Sequence, residues 1–250
     1  MKAALISNLA TSDFVANRKR ILELAVRAVD KGAQLIVLPE AAATGLANTG
    51  KPEHDLELTE PVPGTLTREW RGFATERGVW LAAGLLEKAQ GKIYDSYVLY
   101  DPEGNLALHY RRIDPHWRNP GDDPSVYCVG EDIPVIDTPF GRVGSLICGD
   151  MWDDAILERL KGQSPDYLLY PFLRSIEGTK DRRARWSREL GEYRKRWSET
   201  GASVLAVNLF EGKARDASIG GAWYVGAGGR IVNSLPILKE GILFAELRAG

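Results

Sequence analysis

GRVGSLICGDMW, residues 141–152, decides the reading of this chain. An apolar strand runs into Cys148, Gly149 makes room for a sharp turn, and Asp150 is placed to cap a helix beginning near Trp152. A strand delivered straight into a helix is the building unit of layered α/β domains. A thiol at such a turn lies beside backbone N–H groups and a helix N-terminus. Both favour the thiolate and can stabilise an oxyanion. Taken alone, the cysteine is as readily a buried structural residue as a nucleophile.

Working upstream, residues 2–9 read as a first strand. A helix with Asp13 at its N-cap follows, carrying Leu22, Leu24, Val26 and Val29, and Gly32 ends it. AQLIVLPE, residues 33–40, is a continuous apolar run of the kind buried strands show, and it finishes at Glu40. A helix over 65–77 and a strand over 79–86 form a second unit. Residues 92–100, the turn Asp101-Pro-Glu-Gly104 and residues 106–110 read as a β-hairpin. The stretch 113–130, broken by Pro115, Pro120, Gly121 and Pro124, is a long loop, and such loops tend to be functional.

Downstream, strands are expected at 133–137, 142–147, 167–170 and 203–208, alternating with helices at 152–160 and 180–200. Short strands at 222–225, 231–233 and 242–246 complete the pattern. The second helix repeats Trp186, Leu190, Tyr193 and Trp197 on one apolar face, read as core. No linker, repeat or low-complexity tract interrupts the alternation, so one α/β domain over residues 1–250 is expected.

Bulk properties narrow the function. The 250 residues are 44% hydrophobic and 26% charged with a net charge of −2. That balance offers neither nucleic acid nor an anionic membrane a partner surface. No run approaches the ~20 apolar residues that span a bilayer. The first residues lack a signal-like pattern, which predicts a cytoplasmic protein with Cys128 and Cys148 as free thiols. No Cys/His spacing suggests a zinc site. GAGG at 226–229 joins two short strands and reads as a hairpin turn, so neither metal nor cofactor is expected.

Glu40 ends a buried strand, where the ligand crevice of open α/β sheets lies. A carboxylate there can take a proton from a thiol and return it to a leaving amine, although alone it reads as a solvated strand end. Arg111 and Arg112 open the Pro-rich loop and, without context, are surface charges. His116 in that loop is a second possible partner for Cys148, while His109 is read as packed or surface and His54 as solvated.

Three features in this order resemble the nitrilase superfamily: Glu ending an LPE strand, a basic residue after a strand-ending Tyr, and Cys in an ICxD motif. The likeness runs from ALISNL near the start to GGAWYVGAGGRIV near the end. DTPFGRVGSLICGD is its most specific block and LPEAAATG a strong second. The resemblance implies a four-layer-forming αββα sandwich, stacked as a homodimer or in a higher homo-oligomer. It implies a cysteine-dependent carbon–nitrogen hydrolase that attacks a small amide or nitrile, most simply as an amidase. By motif, Glu40 matches the general base and Cys148 the nucleophile. The family's catalytic lysine falls on Arg112, a departure. A second acidic residue falls near Asp123, with Asp122 as the neighbouring option, and Gly149 lies at the oxyanion turn. Ala222 stands where the family has serine.

Arginine can donate to an oxyanion but is planar and prefers bidentate carboxylate pairing. A fork locked onto Glu40 would hold that carboxylate away from the thiol, and a neighbouring cation would make it a weaker base. The alternatives to hydrolysis are therefore a catalytically impaired member that binds a ligand or acts as a scaffold, and a non-hydrolytic acyl transfer.

Overall fold

The computed structural model describes residues 1–177, 181–212 and 217–247. Strand β1 (Lys2–Ser7) leads into helix α1 (Phe14–Val29), which returns the chain to β2 (Leu35–Val37), parallel to β1. The Asp13 carboxylate accepts the Ala16 N–H at 2.9 Å, capping α1 as expected. The buried stripe of α1 includes Ile21, Leu24, Ala25 and Ala28; of the expected residues Leu24 is buried, and Leu22, Val26 and Val29 pack beside it partly buried. Helices α2 (Pro52–Leu58) and α3 (Thr65–Arg77) precede β3 (Trp80–Ala89), which folds back as β4 (Lys92–Tyr100) and again as β5 (Leu106–Arg111).

The second half repeats the plan. Strands β6 (Val135–Thr138) and β7 (Gly141–Ser145) form an antiparallel pair. A 3-10 turn (Cys148–Trp152) and helix α4 (Asp154–Lys161) follow, then β8 (Tyr167–Phe172), helix α5 (Arg182–Glu199) and β9 (Ser203–Asn208). The chain closes with β10 (Ala222–Val225), β11 (Ile231–Leu235) and β12 (Gly241–Glu246). One sheet runs β12-β1-β2-β3-β4-β5 and the other β11-β10-β9-β8-β7-β6.

Period-two alternation decides which face each residue serves. In β1, Ala3 and Leu5 join the core that also holds Val143, Leu168 and Val204 of the other sheet. Ala4 and Ile6 instead pack with Ile21, Leu24, Trp70 and Phe73 of α1 and α3. On the far side, Trp186, Tyr193 and Trp197 of α5 meet Phe172 and Trp223, with ring centroids 5.0 Å apart for Trp186–Trp223. The layers are therefore helix, sheet, sheet, helix, as the resemblance implied. No helix of the described residues is long and apolar enough to cross a membrane.

Several expectations are corrected. The first strand stops at Ser7 and the second at Val37, because the backbone leaves the sheet before Glu40. Helix α2 occupies what read as a polar loop around His54, with Pro52 opening its first turn. The helix expected from Lys180 begins at Arg182 with Asp181 as its cap, and Lys180 itself lies outside the described residues. Helix α4 starts at Asp154 and is capped by Asp153, not by Asp150.

Candidate active site

Glu40, Arg112 and Cys148 each lie just beyond a strand, β2, β5 and β7, and the fold brings them into one cluster. Beyond β2 the chain crosses β3 at Gly84, whose N–H donates to Pro39 at 3.1 Å and whose carbonyl accepts from Ala42 at 3.0 Å. A Cβ at Gly84 would sit 2.8 Å from the Glu40 Cα, so only glycine permits the crossing. Ala41 then takes a left-handed φ of 42°, and the Glu40 side chain is left with no solvent exposure.

Arg112 follows β5 and is held by backbone bonds at both ends, its N–H to Asp95 and its carbonyl to Gly130, each at 2.8 Å. Its guanidinium is 3% exposed and divides among three carboxylates. Nη1 donates to Glu40 Oε1 at 3.0 Å and to Asp95 Oδ2 at 3.3 Å, and Nη2 to Asp114 Oδ1 at 2.7 Å. The fork does not close on Glu40. It makes a single contact there, and Glu40 Oε2 is left without a partner.

Cys148 is a half-buried free thiol with a left-handed φ of 44°. A β-carbon in that region costs about 1–2 kcal/mol, so the turn must be held from outside. Asp150 and Tyr170 hold it. Tyr170 donates to the Cys148 carbonyl at 2.8 Å. The buried Asp150 carboxylate accepts from the N–H groups of Ile147, Ile113 and Asp114 and from the Tyr110 hydroxyl, at 2.7–3.0 Å. Asp150 thus ties the cysteine turn to the end of β5, a larger task than capping a helix. Gly149 contributes space: a Cβ there would collide with Arg112 Nη2 and the Asp114 carboxylate. The left-handed residue of the turn is Cys148 itself, so the glycine is needed for close approach.

Electrostatics favour a proton acceptor at Glu40. Burial pushes its carboxyl well above the usual range, the Cys148 and Asp95 charges push the same way, and Arg112 opposes them. The expectation that a neighbouring cation would leave Glu40 a weak base is reversed here, because dehydration outweighs one positive charge. For Arg112, burial disfavours the charge, but the surrounding anions outweigh it and hold the guanidinium protonated. Burial also raises Asp150, to about 6, against its hydrogen bonds.

Asp123 does not join the cluster. It is exposed and accepts from the Ser125 hydroxyl and N–H at 2.7 and 2.8 Å, closing its own loop turn. Asp122 likewise accepts from Asn119. The acidic companions of Arg112 are Asp95 and Asp114, which motif order alone missed. Asp95 had a readable signal: it shares the inward phase of β4 with Tyr97 and Leu99. His116 is exposed and bonds Asp114 at 2.6 Å, and His109 bonds Glu87 at 2.8 Å, so both are occupied elsewhere. Arg174, half-buried beyond β8, pairs with Glu189 and lies near enough to Cys148 to feel a thiolate charge.

Known proteins resemble both the sequence and the fold. The omega-amidase NIT2-A of Xenopus laevis is 28% identical over 176 residues, covering 68% of this chain and 62% of that protein. The deaminated glutathione amidase of Rattus norvegicus is 31% identical over 167 residues, covering 62% of this chain and 50% of that protein. The chain thus matches less than two thirds of the length of these relatives. Among solved structures, a variant of the amidase from Nesterenkonia sp. AN1, with acrylamide added at its active-site cysteine, superposes with a TM-score of 0.81. It is 21% identical and covers 100% of this chain and 94% of that one. A carbon–nitrogen hydrolase from Helicobacter pylori G27 gives 0.84 at 20% identity, over 98% and 88% of the two chains. The profile of the carbon–nitrogen hydrolase family matches residues 2–250. On that match, the chain belongs to the carbon–nitrogen hydrolase family.

Proposed function

We propose that this protein hydrolyses a small amide through a thioester on Cys148, with Glu40 as general base and Arg112 in the lysine position. One observation carries the reading: Glu40, 72 residues from Arg112 in sequence, meets its guanidinium by one oxygen only and keeps the other unpartnered in a dry site that feels the Cys148 charge. Glu40 takes the thiol proton as sulfur attacks the amide carbon. The oxyanion forms beside the Arg112 cation and the backbone at Gly149. Glu40 returns the proton to the amine as the C–N bond breaks. Water then attacks the thioester, Glu40 accepts its proton, and the carboxylate leaves with the thiol restored. The names of the relatives, an omega-amidase and a deaminated glutathione amidase, support an amide as the substrate. The competing reading, an impaired member that binds a ligand, draws on the three carboxylates that already occupy Arg112.

Ammonia release from a panel of small amides and nitriles tests the proposal. Wild type is expected to turn over at least one of them and Cys148→Ala none. Glu40→Gln is expected to lose on the order of 10²–10⁴-fold, the usual worth of a general base. Arg112→Lys is expected to be slower, since one ammonium cannot hold three carboxylates in a planar fork. A wild type inert on the whole panel, with turnover appearing in Arg112→Lys, would establish the impaired reading instead.

A further inference from the structure

Asp95 lies on β4 and is 1% exposed. It shares with Glu40 a single nitrogen of Arg112, at 3.3 and 3.0 Å. The two carboxyl groups are within hydrogen-bonding reach of each other. Each keeps one buried oxygen, Asp95 Oδ1 and Glu40 Oε2, with no partner. Two bare carboxylates in a dehydrated site repel, and the cation that pairs with both among the described residues, Arg112, is also claimed by Asp114. As anions both are acceptors only, so the arrangement lacks a donor. One proton supplies it.

We propose that Glu40 and Asp95 share a single proton and act as one base, with Asp95 holding the shared proton while Glu40 receives the one from the Cys148 thiol. The proposal rests on the reading above, because it takes Glu40 to be the base. The step balances: the S–H bond breaks, an O–H bond forms on Glu40, and Asp95 neither gives to nor takes from the substrate. Asp95 is thus a positioning residue acting through Glu40. The pair titrates as a unit, losing its last proton above the range of an isolated carboxyl.

Asp114 stays ionised, because its bonds from His116 and Arg112 outweigh its burial. Tyr170 and Tyr193 stay neutral, raised first by burial. Asp150, behind Arg112, titrates at about 6. Cys148, whose charge acts on Glu40, provides the readout.

The decisive measurement is the infrared band of a protonated carboxyl at pH 8, where Asp150 is ionised. Its companion is the rate of Cys148 alkylation by iodoacetamide from pH 5 to 10. Wild type is expected to show the band, and both Asp95→Asn and Glu40→Gln to lose it, since either change leaves only one carboxyl of the pair, beside the Arg112 cation. An asparagine amide donates to Glu40 as a protonated Asp95 would. Asp95→Asn should therefore alkylate within about threefold of wild type at pH 7 but lack the step in rate where the pair loses its last proton. Asp95→Leu, without a donor, should be slower by about tenfold or more. A wild type without the band at pH 8, a band that survives both single variants, or an Asp95→Asn profile with the same alkaline step would overturn the proposal. Neither readout needs a substrate. Inert amides with the expected band and profile would sink only the hydrolase reading, and turnover without the band only the shared proton.

Discussion

Arg112 determines how much freedom its neighbours have. Its guanidinium packs against the Cα of Gly149 so closely that no side chain fits between them. Three carboxylates hold it in place, so it cannot swing aside. Gly149→Ala is expected to displace the fork from Glu40 and Asp114, and a displacement near 1 Å at a reacting centre costs on the order of 10²-fold in rate. Fold stability should fall by only about 1–3 kcal/mol, the usual cost of overpacking. Turnover together with thermal unfolding of the purified variant checks this. Equal turnover would show the guanidinium has room to move. Glu40, Arg112 and Cys148 were legible as candidates in the sequence because each follows a strand inside a motif that chain order preserves. Asp123 was misplaced because the 113–130 loop is irregular, and nothing in its spacing says which acidic residue turns inward. Asp95 went unread because its meaning depends on a partner 17 residues away across the β4–β5 hairpin.

One segment follows Glu40 and another follows Arg112, and a buried carboxylate joins them. Asp55, on helix α2, accepts from the N–H groups of Thr49 and Gly50, the Thr49 hydroxyl and, at 2.6 Å, the Tyr127 hydroxyl of the 113–130 loop. Trp117 packs on Tyr127 with ring centroids 6.2 Å apart. Asp55→Asn halves the acceptor capacity and is expected to cost about 2–3 kcal/mol, as for hydrogen bonds to a charged group. Tyr127→Phe removes one of those bonds and should cost less. Hydrogen exchange should speed up at 49–55 and 123–128 in both variants while the sheet strands stay protected. Unchanged exchange at 123–128 in Tyr127→Phe would show that the loops are held independently. Helix α2 was unreadable in advance because seven residues give barely two turns of periodicity. The longer elements, α1, α3, α5 and most of the strands, were legible because each shows several repeats of its period. Their ends were less so, since tertiary contacts decide where the backbone leaves a sheet.

Among the described residues the buried carboxyls fall into two sets that respond oppositely to acid. Asp150 titrates at about 6 in the fold against about 3.9 unfolded, so the native state binds its proton more tightly. Its contribution is complete below about pH 4 and is lost as pH rises through 6; a gap of that size is worth about 2–3 kcal/mol. Glu40 and Asp95, also raised chiefly by burial, act in the same direction. Asp55 and Glu87 are both held at about 2, their hydrogen bonds outweighing burial. Their contribution is present above about pH 4 and disappears as pH falls toward 2. Stability should therefore rise from pH 7 to a maximum near pH 4–5 and then fall steeply. Urea denaturation at pH steps from 3 to 8 measures the curve. Asp150→Asn cannot take up that proton, and with one acceptor oxygen left it loses the bonds from Ile113 and Asp114 or the bond from Ile147. It should be less stable throughout and show a shallower rise between pH 7 and 5. An unchanged slope over that interval would mean that the carboxylate joining the cysteine turn to β5 is already ionised or already neutral across it, and that its bonds rather than its proton set the response.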